Sequence, residues 1–143
     1  MRRILIIEDN VNDLTYYTPL YTDGNEVSFL FFSKDKKYTK EKLEDLVQAV
    51  HEELFRKVRK YFVEDEEAVS AFLKETPFDL YVIDSLSGYA PKLVKEAKLP
   101  KGKIAFFTST EDFKVLMEHK EYKAYKKNEM ARLMEENGLS KEF

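Results

Sequence analysis

The sequence predicts an α/β domain built on a doubly wound, three-layer, five-stranded parallel sheet, and three observations predict it. Short apolar runs recur at Arg3 to Ile7, Phe78 to Asp84 and Lys103 to Phe107, rich in β-branched and aromatic residues as buried strands are. Between them lie segments with apolar residues at three- and four-residue spacing, the pattern of helices that cover a sheet. The three runs end in Glu8-Asp9, in Asp84 and in Thr108-Ser109-Thr110. Ligands of an open parallel sheet bind at the carboxyl ends of its strands, so these acids and hydroxyls are expected to share one pocket.

Taken in order, Arg3 to Ile7 is continuously apolar after its first residue, as in a strand covered on both faces. Asn10 to Asp13 follow as helix-opening residues. Thr15 to Pro19 is poor helix material, Asp23-Gly24 marks a turn, and Val27 to Phe32 is strand-like. Thr39 is a fitting N-cap for the clearest helix, whose apolar face is Leu43, Leu46, Val47, Val50, Leu54, Phe55 and Val58. A helix over Glu64 to Glu75 turns Ala68, Val69, Phe72 and Leu73 inward and carries acids in its first turn, as the helix dipole favours. The Thr76-Pro77 break introduces the strand that delivers Asp84, and Ser85, Ser87 and Gly88 close it. Then come a short helix over Pro91 to Lys98, a turn at Leu99 to Gly102 and the Lys103 to Phe107 strand. A helix over Glu111 to Lys120, a last strand over Tyr122 to Lys126 and a helix from Asn128 to Asn137, stopped by Gly138, complete the chain.

The region 15–61 holds more than five strands require, as an extra helix or hairpin. In the preferred arrangement Val11 to Thr22 is the first helix, Val27 to Phe32 the second strand, and Thr39 to Lys60 an inserted helix. In the other, Thr15 to Phe32 is an inserted hairpin, Thr39 to Lys60 is the first helix, and Tyr61-Phe62-Val63 is the second strand. Either way residues 1–143 form a single domain with an insertion at about 33–61.

Charged residues make up 36% of the chain but are intermixed, with a net charge of only −3, so neither a nucleic-acid nor a membrane surface is expected. No apolar run approaches the roughly 20 residues that span a bilayer, and the N-terminus lacks a signal-peptide pattern. A cytoplasmic protein is expected. Cysteine is absent, which excludes disulfides, thiolate nucleophiles and sulfur-ligated metals. His51 and His119 have no partner pattern and read as solvated or dipole-satisfied side chains.

Three carboxylates, Glu8, Asp9 and Asp84, converging at strand ends would repel one another unless a cation lay between them. Mg²⁺ suits such a set, because it takes octahedral oxygen ligation from carboxylates, waters and phosphate oxygens. The Thr108 hydroxyl and an ammonium from Lys126 or Lys127 would flank an anion on that metal. The equipment is that of phosphoryl chemistry.

Four segments then carry a family likeness: Ile6-Ile7-Glu8-Asp9-Asn10, Phe78 to Asp84, Ile104 to Ser109, and Ala124-Tyr125-Lys126-Lys127. In kind and order they resemble those of response-regulator receiver domains, which share a flavodoxin-like fold; the likeness covers most of the chain but not residues 33–61. The resemblance implies that Asp84 is the phospho-acceptor, that Glu8 and Asp9 are the Mg²⁺-binding pair, and that Thr108 contacts the phosphoryl group. It places the family's lysine on Lys127, with Lys126 as the alternative. It implies a stand-alone domain of a two-component phosphorelay, switched at Asp84 by a histidine kinase or phosphotransfer protein and read by a downstream protein partner. Its chemistry would extend at most to accepting and hydrolysing the phosphoryl group. The alternative is a pseudo-receiver that binds partners without phosphorylation. A small Mg²⁺-dependent phosphatase is disfavoured, because no second acid closely follows Asp84.

Overall fold

The computed structural model describes residues 2–9, 11–22, 24–32, 39–49, 56–108, 114 and 121–139. Its strands are β1 (Arg3–Glu8), β2 (Glu26–Phe32), β3 (Arg59–Val63), β4 (Leu80–Ile83), β5 (Ile104–Thr108) and β6 (Lys123–Lys126). The α-helices are α1 (Thr18–Thr22), α2 (Lys40–Ala49), α3 (Glu66–Glu75), α4 (Ala90–Glu96) and α5 (Met130–Glu136), with a 3₁₀ helix over Val11–Tyr17 leading into α1. All six strands form one sheet in the order β3-β2-β1-β4-β5-β6, and every pairing is parallel.

The five-strand expectation is therefore corrected to six among the described residues. Val27 to Phe32 and Tyr61 to Val63 competed for one place in the sheet, yet both are strands and lie side by side, Phe31 opposite Phe62 and Phe32 opposite Val63. The Phe31 and Phe62 rings stack at 5.2 Å, so the Tyr61-Phe62-Val63 run is stabilised as an outer strand. The expected helix from Thr39 to Lys60 is corrected at its far end: α2 covers Lys40–Ala49, and Arg59 and Lys60 belong to β3, where they pair with Ser28 and Phe29 of β2. The inserted hairpin is overturned: β2 runs parallel to β1, and the chain ahead of it is helical. Val50, His51, Leu54 and Phe55 lie outside the described residues, as do Ser109, Thr110, His119 and all of the expected Glu111 to Lys120 helix except Lys114.

Side chains alternate across a strand, and the sheet sorts its apolar residues accordingly. Ile4, Ile6, Phe29, Phe31, Val82, Phe107 and Tyr125 gather with Tyr17 and Leu20, with Leu43 and Val47 of α2, and with Met130 and Leu133 of α5. Leu5, Ile7, Leu30, Phe32, Ile83 and Phe106 gather with Val69 and Leu73 of α3 and with Leu93 and Val94 of α4. The Thr39 cap is present where expected, whereas Asp65, inside the expected Glu64 to Glu75 helix, is the cap of a helix that starts at Glu66. The Thr39 hydroxyl accepts from the Lys42 N–H at 3.2 Å, and the Asp65 carboxylate accepts from the Ala68 N–H at 2.8 Å. Gly138, at φ +70°, takes the left-handed conformation that closes α5.

Candidate functional site

Parallel strands put all their carboxyl ends on one edge of the sheet, and four of them deliver the site. Glu8 ends β1 and is fully buried, while half-buried Asp9 follows it. Asp84 comes one residue after β4 and Lys127 one residue after β6. Both are locked by one further ladder bond, Asp84 N–H to the Ile7 carbonyl at 2.9 Å and Lys127 N–H to the Thr108 carbonyl at 2.8 Å. The apolar strands thus set the position of each polar side chain to within a hydrogen bond.

One carboxylate oxygen from each of Glu8, Asp9 and Asp84 lies within 4.8 Å of the others. Lys127 Nζ is 2.6 Å from Glu8 Oε2, 3.1 Å from Asp84 Oδ1 and 3.5 Å from Asp13 Oδ2. It also donates to the Tyr17 hydroxyl at 2.9 Å, which in turn donates to Glu8 Oε2. The ammonium sits about equally over the Tyr17 and Phe107 rings, at 5.0 and 5.2 Å from their centroids. Lys127 rather than Lys126 therefore meets the acids; Lys126 is half-exposed. Asp84 Oδ2 accepts from the Leu86 N–H at 3.0 Å, so one oxygen is held by the loop and the other faces the lysine. Leu86 is fully buried at φ +51°, a left-handed strain that costs about 1 to 3 kcal/mol and keeps this amide on Asp84.

Charge is unbalanced here. Burial, then the charge of Asp84, raises Glu8 from 4.5 to about 7 against the pull of Lys127. Burial, then Asp84 and Glu8, raises Asp9 from 3.8 to about 9. Burial would lower Lys127, but Glu8 and Asp84 outweigh it and hold the ammonium above its ordinary value. Burial and Glu8 keep the Tyr17 phenol protonated well above its usual range. Three clustered hard oxygen donors with surplus negative charge fit a divalent cation of the Mg²⁺ kind. At the neighbouring strand end the Thr108 hydroxyl is buried and has no hydrogen-bond partner among the described residues, a donor free for a ligand oxygen.

The structure thus brings Glu8, Asp9, Asp84 and Lys127 together and sets Thr108 at the end of the adjoining strand. Sequence reasoning missed Tyr17, the approach of Asp13 and the Leu86 amide. Tyr17 reaches the site through a 3₁₀ helix, whose tighter turn no 3.6-residue pattern reveals. Compared by sequence with profiles of known families and with characterised proteins, the chain matches none.

Proposed function

We propose that the chain is a receiver-like signalling domain, a three-layer flavodoxin-like fold with α2 and β3 as an added unit, in which Asp84 accepts a phosphoryl group. The donor would be a histidine kinase or phosphotransfer protein, and the altered surface would be read by a downstream protein in the cytoplasm. The observation that carries this reading is a carboxylate anchored by a backbone amide on one oxygen and faced by a buried ammonium on the other, beside two more acids. Removing β3 from the order leaves β2-β1-β4-β5-β6, the flavodoxin-like winding with its crevice between β1 and β4. The full order also occurs in dinucleotide-binding sheets. Those need glycines directly after the first strand, where this chain has Glu8-Asp9 and no glycine before Gly24.

Glu8, Asp9 and Asp84 would hold Mg²⁺, which supplies charge neutralisation for an incoming phosphate. Asp84 attacks phosphorus, forming an acyl phosphate as the bond to the donor's leaving group breaks; water later cleaves it and restores the carboxylate. Lys127 offsets charge on the phosphoryl oxygens, and the Thr108 hydroxyl donates to one of them. A phosphorylation-independent interaction module is the second reading. It is favoured by Glu8 Oε2 already accepting from both Tyr17 and Lys127. Incubation with Mg²⁺ and a small acyl phosphate, followed by intact mass, decides between them: the wild type should gain one phosphate and Asp84→Asn none. No gain at saturating donor and metal moves the chain to the second reading.

A further inference from the structure

The Tyr17 hydroxyl has no part in the reaction described, yet it lies at the centre of the site. Its ring is fully buried, edge-on to Phe29 at 5.7 Å and tilted against Phe107 at 5.3 Å. Its oxygen both donates to Glu8 Oε2 and accepts from Lys127 Nζ at 2.9 Å, and Lys127 donates to the same Glu8 oxygen at 2.6 Å. The three polar atoms close a ring. An ammonium has three protons, and here four acceptors lie within reach: Glu8, Tyr17, Asp84 and Asp13. The ring takes two of those protons and holds Nζ nearer Glu8, at 2.6 Å, than Asp84, at 3.1 Å.

We propose that Tyr17 is a positioning residue, a latch that holds Lys127 on Glu8 in the unmodified protein and so sets how readily the ammonium moves onto a phosphoryl group at Asp84. The phosphoryl part rests on the function proposed above; the latch itself does not. A phosphoryl group adds strong acceptors beyond the Asp84 carboxyl, and Lys127 meets them only by lengthening its bonds to Tyr17 and Glu8. Tyr17 therefore weights a two-state equilibrium toward the unmodified arrangement, and a ligand of the modified one must first overcome it. Tyr17→Phe deletes the latch while keeping the ring in its aromatic packing.

The test uses beryllium fluoride, an acyl-phosphate mimic that cannot hydrolyse, with Mg²⁺ present throughout, and ¹⁵N-lysine NMR of the Lys127 ammonium. The wild type should show a nuclear Overhauser contact between Lys127 and the Tyr17 ring that disappears when beryllium fluoride binds. Tyr17→Phe should bind the mimic about tenfold more tightly, the scale of one hydrogen bond's net contribution. Phe107→Leu loosens the other wall of the ammonium without touching the hydroxyl and should give no tighter binding. Equal affinity in Tyr17→Phe and wild type, or equal tightening in Phe107→Leu, overturns the proposal. Should Tyr17→Phe fail to fold, a wild-type contact that persists in the bound state overturns it equally. If the wild type neither binds the mimic nor gains phosphate, the proposed function falls. The latch is then judged by the Lys127 signal in Tyr17→Phe, and an unshifted signal sinks it.

Discussion

In metal-free buffer the wild type should lose stability as pH rises from about 5 to about 9, and Asp84→Asn should lose less. Glu8 is raised from 4.5 to about 7 and Asp9 from 3.8 to about 9, in each case by burial first and Asp84 second. A carboxyl whose folded value lies above its unfolded one binds more protons in the folded state within that window. Stability is therefore present below the unfolded value and falls as pH rises through the folded one. For Glu8 alone, the span from 4.5 to about 7 amounts to about 3 kcal/mol. In a chain of this size that is roughly 6 to 12 °C of melting temperature. Asp9 acts in the same direction, and Lys127, held above its ordinary value, stays charged throughout. Asp84→Asn removes the main charge acting on both acids and keeps an oxygen for the Leu86 N–H, at the loss of its pairing with Lys127. Its melting temperature should exceed that of the wild type at about pH 9, with the gap closing toward about pH 5. Calorimetry in chelator across that range is the assay. A wild-type melting temperature that is flat or rising with pH, or a parallel fall in both proteins, would refute the reasoning. If the three carboxylates hold Mg²⁺ as proposed, added Mg²⁺ should raise the melting temperature most at the alkaline end, where protons compete least for them.

Two further changes probe the scaffold. Leu43 is 1% exposed in α2, so Leu43→Ala should cost about 2 to 5 kcal/mol in chemical denaturation, and half-buried Leu46→Ala less; an effect near zero would show that α2 does not pack on the sheet. Lys98 is exposed at φ +54° after α4, so Lys98→Gly should stabilise by about 0.5 to 1 kcal/mol, read as a higher denaturation midpoint with unchanged slope.

What the sequence made legible follows the strength of each physical signal. β1, β4 and β5 are buried on both faces, and short unbroken runs rich in β-branched residues, such as Ile4-Leu5-Ile6-Ile7, favour a strand by their length and composition. Because those strands also carry Glu8, Asp84 and Thr108 at or just beyond their ends, the parallel arrangement alone sets these three side chains along one edge of the sheet. β3 was harder, since Arg59-Lys60-Tyr61-Phe62-Val63 is only half-buried at best and follows a strong helical stripe. Val27 to Phe32 and Tyr61 to Val63 exclude each other only in a sheet limited to five strands, and nothing physical prevents a second crossover from adding an outer strand. Around the acidic cluster, the contacts of Tyr17 and Asp13 with Lys127 join residues more than a hundred positions apart. Their pairing depends on how the 3₁₀ helix seats Tyr17 against Phe29 of β2 and Phe107 of β5, which is a property of packing and leaves no periodic trace.

Thr108 joins stability to function in one testable substitution. Its hydroxyl is buried at the end of β5 with no partner among the described residues, and an unsatisfied buried hydroxyl costs about 1 to 3 kcal/mol. Valine has nearly the same shape and no polar atom to desolvate. In the free protein Thr108→Val should therefore raise stability by about 1 kcal/mol or more, which is roughly 2 to 4 °C. In the proposed reaction the same hydroxyl donates to a phosphoryl oxygen, so the variant should bind beryllium fluoride more weakly, by about tenfold or more. The two effects have opposite signs, and packing alone cannot produce that pair: a clash or cavity would lower both. A Thr108→Val protein that melts lower than wild type would mean that the hydroxyl is satisfied in the free protein. One that melts higher but binds the mimic unchanged would remove Thr108 from the site, leaving Lys127 as the group that meets the phosphoryl oxygens.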